Sequence, residues 1–323
     1  MGNMMMLGAA IGFGSGPVLS QLLLLQEFSP EIIALYRFAI PALLVLPWLA
    51  SFRSYPAEYL RCMALGIFSA LGMLAFLYSF SWLPATTVIL TYYTYPLFAM
   101  LIGWVFFDHV LTRNRLIAGA LIVLAVAIMQ KPEVAGRLSW QALLLCFMAP
   151  VSYALLINYV ARPVQVLKVS ERMSAILAGH LIILVPLSFW QLPVIFIPQS
   201  SEQLWLILAL GILSAALPQY LFARGTALAG MERSVMISTC EVVFALIFAA
   251  VLLQQDVSRL EVIASVLILV SGLIRPEPDQ QNSGNSDSQS SPADSLIQLS
   301  PSDLKNQLDP ADSRTPVVAR DRG

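Results

Sequence analysis

Apolar residues fill most of the first 275 positions, in long runs separated by short polar or proline-containing breaks. Runs of spanning length fall at about 4–25, 31–51, 60–82, 86–107, 115–130, 139–161, 173–190, 204–224, 233–253 and 260–275. A helix needs about 20 residues to cross a hydrocarbon core, within a range of about 17–25. The pattern therefore predicts ten transmembrane helices, with the least certain ends at the short fifth and tenth runs. Barrel strands are excluded, because the runs are continuous and show no period of two. The breaks carry helix-ending residues, at Ser29-Pro30, Tyr55-Pro56, Pro84, Lys131-Pro132, Arg162-Pro163, Pro198 and Gly230.

Composition agrees with the pattern. Hydrophobic residues make up 58% of the chain and charged residues 11%, with a mean hydropathy of +0.76. Soluble domains carry roughly 25% charged residues. Net charge is −1, but residues 276–323 hold eight of the 19 acids and four of the 18 bases, so the membrane portion is net positive. Basic loops explain this, and no nucleic-acid partner is indicated. The tail from 276 to 323 is rich in Ser, Asp, Pro and Gln and is expected to be disordered and without a partner. Cys62, Cys146 and Cys240 lie in or beside apolar runs without CxxC spacing, so they read as small buried residues. The N-terminus lacks a basic stretch before the first apolar run, which predicts that the first helix is its own targeting signal.

Basic loop residues set the orientation. If ten spans start from an inner N-terminus, the inner side carries Arg53, Arg61, Arg113, Arg115, Arg162, Lys168, Arg172, Arg224, Arg233 and Arg275. The outer side carries Lys131, Arg137 and Arg259. Ten against three predicts both termini in the cytoplasm, and hence a multi-pass protein of the cell membrane.

The two halves also repeat. At an offset of 146 (241 − 95), Tyr95-Pro96-Leu97-Phe98-Ala99 aligns with Glu241-Val242-Val243-Phe244-Ala245. At the same offset Arg113 meets Arg259, Ile117-Ala118 meets Ile263-Ala264, and Leu121-Ile122 meets Leu267-Ile268. Gly66-Ile67-Phe68-Ser69 resembles Gly211-Ile212-Leu213-Ser214 at an offset of 145 (211 − 66). Five spans per half is an odd number, so the halves should cross the membrane in opposite directions. Inverted repeats of this kind characterise secondary transporters with a midplane site. The fold class expected is all-α integral membrane, an inverted five-plus-five repeat with halves at 4–130 and 139–275.

These residues resemble the drug/metabolite transporter superfamily, in its ten-helix EamA-type branch. The likeness rests on Tyr95-Pro96-Leu97-Phe98 through Phe107-Asp108, on Leu116-Ile117-Ala118-Gly119-Ala120-Leu121-Ile122, and on Glu241-Val242-Val243-Phe244. Arg37, in Ala34-Leu35-Tyr36-Arg37-Phe38, matches an arginine usual in the second helix of that family. Val242 stands where the family often has proline, Gln254 where it has an acid, and Asp108 where it has glutamate. The resemblance implies a fold and a transport role over residues 4–275, and says little of the substrate.

Among candidate residues Glu241 comes first, because a carboxylate in an apolar span costs at least roughly 2.5–3.5 kcal/mol to insert. Helical spacing would put Ser234, Ser238 and Glu241 on one face, lining a substrate path or fixing helix packing. Tyr92, Tyr93 and Tyr95 offer an aromatic surface with hydroxyl groups, suited to an amphipathic solute or to an interfacial belt. Arg37 could meet a substrate carboxylate, snorkel to the interface, or pair with Glu27 or Glu31. Gln219, Tyr220, Tyr153, Asn158 and Ser152 are further cavity candidates, and Pro96 and Pro218 are candidate kinks. His180 reads as a packing residue. The first helix carries Gly8, Gly12 and Gly16 at a spacing that favours close helix packing.

The function expected is secondary active transport of a small metabolite, most plausibly amino-acid export by alternating access, with protons as a candidate coupling ion. A facilitative carrier or channel for another solute class, such as nucleotide sugars or drug-like cations, is the alternative. No Walker motif is present, so ATP hydrolysis would not drive it. Two histidines, at 109 and 180, cannot build a histidine-cluster metal site, and neither a cofactor nor enzymatic activity is expected.

Overall fold

The structure is a computed structural model that describes residues 1–107, 110–129, 140–161, 166–190, 197–229, 237–255 and 257–274. The expected tail lies outside the described residues, as do Asp108, Lys131, Arg137, Arg162, Arg233, Ser234 and Arg275.

All regular structure among the described residues is helical. In the first half these are α1 (Gly2–Leu25), α2 (Pro30–Val45), α3 (Pro56–Ser79), α4 (Ala85–Tyr92), α5 (Tyr95–Phe106) and α6 (Arg113–Met129). A 3-10 stretch, Leu46–Arg53, continues α2. The second half begins with α7 (Trp140–Ala161) and α8 (Val169–Trp190). It continues with α9 (Ser201–Leu208), a π-helical stretch Ala209–Ala216 and α10 (Leu217–Ala229). Two further helices, α11 (Glu241–Leu252) and α12 (Arg259–Leu273), end the described chain.

Local chemistry explains the boundaries. Pro30 and Pro56 each open a helix, where a missing N–H costs nothing. The side chains of Ser29, Ser200 and Ser258 cap α2, α9 and α12 by accepting the amide hydrogens of Ile32, Gln203 and Glu261. α1 stops in a Schellman turn, with Glu27 at φ 66° and the Phe28 amide donating to the Leu23 carbonyl at 3.1 Å.

Among the described residues, seven helices are long and apolar enough to cross a membrane when α4 and α5 are taken as one span, α2 with its 3-10 extension, and α9 with its π stretch and α10. The other expected spans correspond to α6, α11 and α12, of 17, 12 and 15 residues. Exposure supports a lipid setting. Trp48, Trp82, Trp104, Trp140, Trp190 and Trp205, all six tryptophans of the chain, stand exposed at or near helix ends, where aromatic residues anchor a protein to the bilayer interface.

The helices pack in a pattern that survives exchange of the two halves. α3 packs on α7 and α8, while the π stretch and α10 pack on α1 and the π stretch on α2. Likewise α5 packs on α7 and α11 on α1. Two pairs map onto themselves, α2 with α8 and α6 with α12. Gly66 and Gly211, aligned in the sequence, both sit at close approaches. A Cβ at Gly66 would fall 2.1 Å from the Ile176 carbonyl oxygen, and one at Gly211 2.2 Å from the Ile40 side chain.

Candidate functional site

The fourth apolar run is interrupted. α4 ends at Tyr92, residues 93 and 94 turn, and α5 starts at Tyr95. The ninth run is interrupted at the aligned position, residues 239 and 240, and α11 starts at Glu241. Both second segments are 12 residues long. The backbone hydrogen bonds of the two breaks also correspond. Thr94 N donates to Thr91 O at 3.1 Å and Leu97 N to Thr94 O at 2.9 Å; Cys240 N donates to Ile237 O at 3.1 Å and Val243 N to Cys240 O at 3.0 Å. These i to i−3 bonds tighten the chain locally and free the start of a new helix.

A turn at residues 239 and 240 lies between Ser238 and Glu241, and Ser234 lies outside the described residues. Glu241 occupies the first turn of α11, where the partial positive charge of the helix N-terminus stabilises a carboxylate. Its Oε1 accepts a hydrogen bond from the Tyr93 hydroxyl at 3.1 Å. The two interrupted segments therefore meet through these side chains. Sequence register paired Glu241 with Tyr95, and the contact goes to Tyr93, which lies in the facing turn.

An aromatic wall adjoins this pair. The rings of Tyr92 and Tyr95 both pack on Tyr153 of α7, with centroids 5.8 Å and 5.0 Å away, and on each other at 6.0 Å. Tyr92 also meets Phe76 at 5.5 Å and Tyr93 at 5.6 Å. Tyr92, Tyr95, Tyr153, Ser238 and Glu241 all keep partial accessibility, whereas Tyr93 is buried.

Arg37 completes the group. It lies within electrostatic reach of Glu241, Tyr92, Tyr93 and Tyr153. Its guanidinium rests on α1 at Gly16, where a Cβ would fall 2.7 Å from Nη1. The expected pairing with Glu27 or Glu31 is not found, since no ion pair among the described residues joins them. Glu31 is buried and accepts a hydrogen bond from the Tyr78 hydroxyl instead. α1 also reaches Glu241: a Cβ at Gly14 would lie 2.8 Å from the Glu241 carbonyl oxygen. The glycines at 14 and 16 thus let α1 touch both charged residues, a role that the four-residue glycine spacing did not single out.

The remaining candidates stand elsewhere. Asn158 is buried and donates to the carbonyls of Ala99 and Ala154, each at 2.9 Å, so it ties α7 to α5. Tyr220 is 55% exposed, its ring 5.8 Å from the Arg224 guanidinium carbon, on the outer surface of α10. Gln219 is half-buried beside it. Pro218 opens α10 directly after the π stretch and packs on Gly12. Its missing amide hydrogen fits the departure from regular α-helix just before it. Pro96 occupies the same early position in α5. His180 is buried, its Nδ1 2.7 Å from the Ile176 carbonyl and its ring 3.9 Å from that of Phe38, as a packing histidine would be.

The comparisons with known proteins point the same way. The sequence profile of the EamA-like transporter family matches residues 1–130 and again 140–274. A solved structure described only as a crystal structure of a protein is similar over 84% of this chain and 96% of its own, at a TM-score of 0.57 and 15% identity, which is a likeness of fold alone. No curated protein matches. The fold and site define a multi-pass membrane transporter. The chain belongs to the EamA-like transporter family, within the drug/metabolite transporter superfamily.

Proposed function

We propose that this protein is a secondary active transporter of amino acids or closely related zwitterions, in the direction of export, working by alternating access around the paired helix breaks. One observation carries the reading. Glu241 and Arg37, opposite charges on α11 and α2, share one aromatic-walled region where two interrupted helices meet. Discontinuous helices in corresponding positions of two halves are where transporters of this architecture bind solute. A carboxylate for an ammonium group, a guanidinium for a carboxylate and tyrosine rings for a side chain match the chemistry of an amino acid.

The membrane arrangement belongs to the same proposal: ten crossings, halves at 4–130 and 139–275 in opposite directions, and both termini cytoplasmic. Cross-helix polar contacts near helix ends support it, because each joins ends that alternate threading puts on one side. Gln26 donates to Glu202 at 2.9 Å, and Thr86 to Glu261 at 2.7 Å, on the outer side. Ser51 donates to Glu171 and Tyr159 to Glu58, both at 3.0 Å, on the inner side. A proton is the proposed coupling ion, with Glu241 as its carrier.

The test is purified protein in liposomes, screened for thermal stabilisation by amino acids and then for flux and counterflow. Saturable counterflow of an amino acid that Glu241→Gln and Arg37→Gln abolish is the expected result. Flux without saturation or counterflow would favour the channel alternative. Full pH-gradient-driven transport by Glu241→Gln would remove the proton carrier and leave the substrate reading intact.

A further inference from the structure

The repeat lets each half report what the other would look like in the opposite state, and the two halves differ in the exposure of aligned positions. A cleft of about 280 Å³ opens between α5, α6, α7 and α12, walled by Pro96, Leu97, Met100, Arg115 and Ala118 among others. These five keep partial accessibility, and Pro96 adjoins Tyr95 at the helix break. In the second half the aligned positions are 242, 243, 246, 261 and 264. Val242 is 1% exposed, Leu246 7%, Glu261 6% and Ala264 0%, while Val243 is half-buried. Four of the five positions that are accessible at the cleft are therefore buried in the second half.

The chemistry at the shut face is specific. Glu261 is the third residue of α12 and closes a capping box with Ser258, whose amide and hydroxyl donate to Oε2 at 2.7 and 2.9 Å. Its Oε1 accepts from Thr86 at the start of α4, at 2.7 Å. The aligned residue at the start of α6 is Arg115, whose amide is capped by Thr112 as that of Glu261 is by Ser258. Arg115 donates from Nη1 to the Val110 carbonyl at 2.6 Å, and its side chain lines the open cleft.

A second pair of residues sets the spacing. On the open side Asn158 reaches from α7 to the Ala99 carbonyl, so a side chain separates the helices. On the shut side Gly14 of α1 meets the aligned turn, where a Cβ would lie 3.1 Å from the Ala245 amide nitrogen. Backbone lies against backbone there.

We propose that the structure is an inward-open state in which the cleft at Arg115 is the cytoplasmic mouth of the substrate path and the Thr86–Glu261 hydrogen bond is the latch of the closed outer gate. This rests on the inverted-repeat arrangement proposed above. In the opposite state the latch parts, α1 moves off α11, and the cleft at Arg115 closes.

The test needs no substrate. In a protein carrying Cys62→Ala, Cys146→Ala and Cys240→Ala, single probes Ala118→Cys and Ala264→Cys mark the equivalent inner and outer positions. A membrane-impermeant maleimide applied to vesicles of each orientation should label position 118 from inside and leave 264 protected. Adding Glu261→Gln, or the near-isosteric Thr86→Val should the first variant fold poorly, should raise labelling at 264 from outside by about three- to tenfold, the effect of one interhelical hydrogen bond. Labelling at 118 should fall in parallel. A rise at both positions, no change at either, or equal labelling of 118 and 264 before the latch is weakened would overturn the proposal. Lack of amino-acid flux would sink only the substrate reading, since the labelling pattern does not depend on it.

Discussion

Glu241 accepts one defined hydrogen bond, from Tyr93, and has Arg37 within electrostatic reach. A carboxylate at depth is tolerated only with such partners or a proton. Tyr93→Phe keeps the ring and removes the donor, so substrate affinity is expected to fall by about three- to tenfold with the fold unchanged. Measured by thermal-shift titration, an unaltered affinity would detach Tyr93 from the site. Arg37 depends on its neighbour as much as on its charge. Gly16→Ala puts a methyl group 2.7 Å from Nη1, which costs about 1–3 kcal/mol of packing or moves the guanidinium. Transport is expected to drop severalfold while Gly8→Ala, whose added Cβ would meet only the Leu221 side chain at 3.2 Å, has a smaller effect. Equal flux losses in the two variants would count against a special role for position 16.

At the scale of elements, the helix breaks are the feature that makes a site possible. Proline marks one of them, at Pro96, and Val242 takes that position in the other. Both breaks have the same hydrogen-bond pattern, so proline is not what sets the second one. α1 lies against the start of α11 at Gly14, a contact that only packing can reveal. At the two equivalent helix crossings Gly66 lies against the Ile176 backbone and Gly211 against the Ile40 side chain. Gly66→Val and Gly211→Val are each expected to destabilise the protein by at least about 1–3 kcal/mol, seen as a lower melting temperature in detergent. The added group at Gly66 meets backbone, which cannot turn aside, and the one at Gly211 meets a side chain that can, so the loss should be larger at Gly66; an equal or larger loss at Gly211 would contradict this.

At the scale of the whole molecule, exchange symmetry and its breaking are the informative facts. The largest contacts among the described helices map onto each other when the halves are swapped, as a two-fold related pair of repeats would require. Side chains break that symmetry at Tyr95 and Glu241 and at Arg115 and Glu261. The proposed orientation is open to a direct check. Reporter fusions at either terminus should be active only in the cytoplasmic form, in line with the basic residues of the inner loops. Periplasmic or extracellular activity from either fusion would reverse or reject the assignment.

The sequence by itself determined the class of protein, because hydrophobic length, helix-ending residues and the 146-residue repeat are local properties that need no partner to be read. It also marked Glu241, since the cost of burying a charge depends on the apolar run around it. The tyrosine group was legible for a similar reason, as neighbours in one run meet in one wall with Tyr153. Tertiary structure alone decided the rest. The turn between Ser238 and Glu241 and the close approach of α1 to it at Gly14 are visible only in the folded chain. Tyr220 looked polar enough for a cavity, and packing turned its side of α10 outward. The partners Tyr93 for Glu241, Gly16 for Arg37 and Thr86 for Glu261 lie 148, 21 and 175 positions away (241 − 93, 37 − 16, 261 − 86), and no periodicity connects them. Which half is open and which is sealed follows from those distant contacts, so it belongs to the folded molecule and could not be written into any one run of residues.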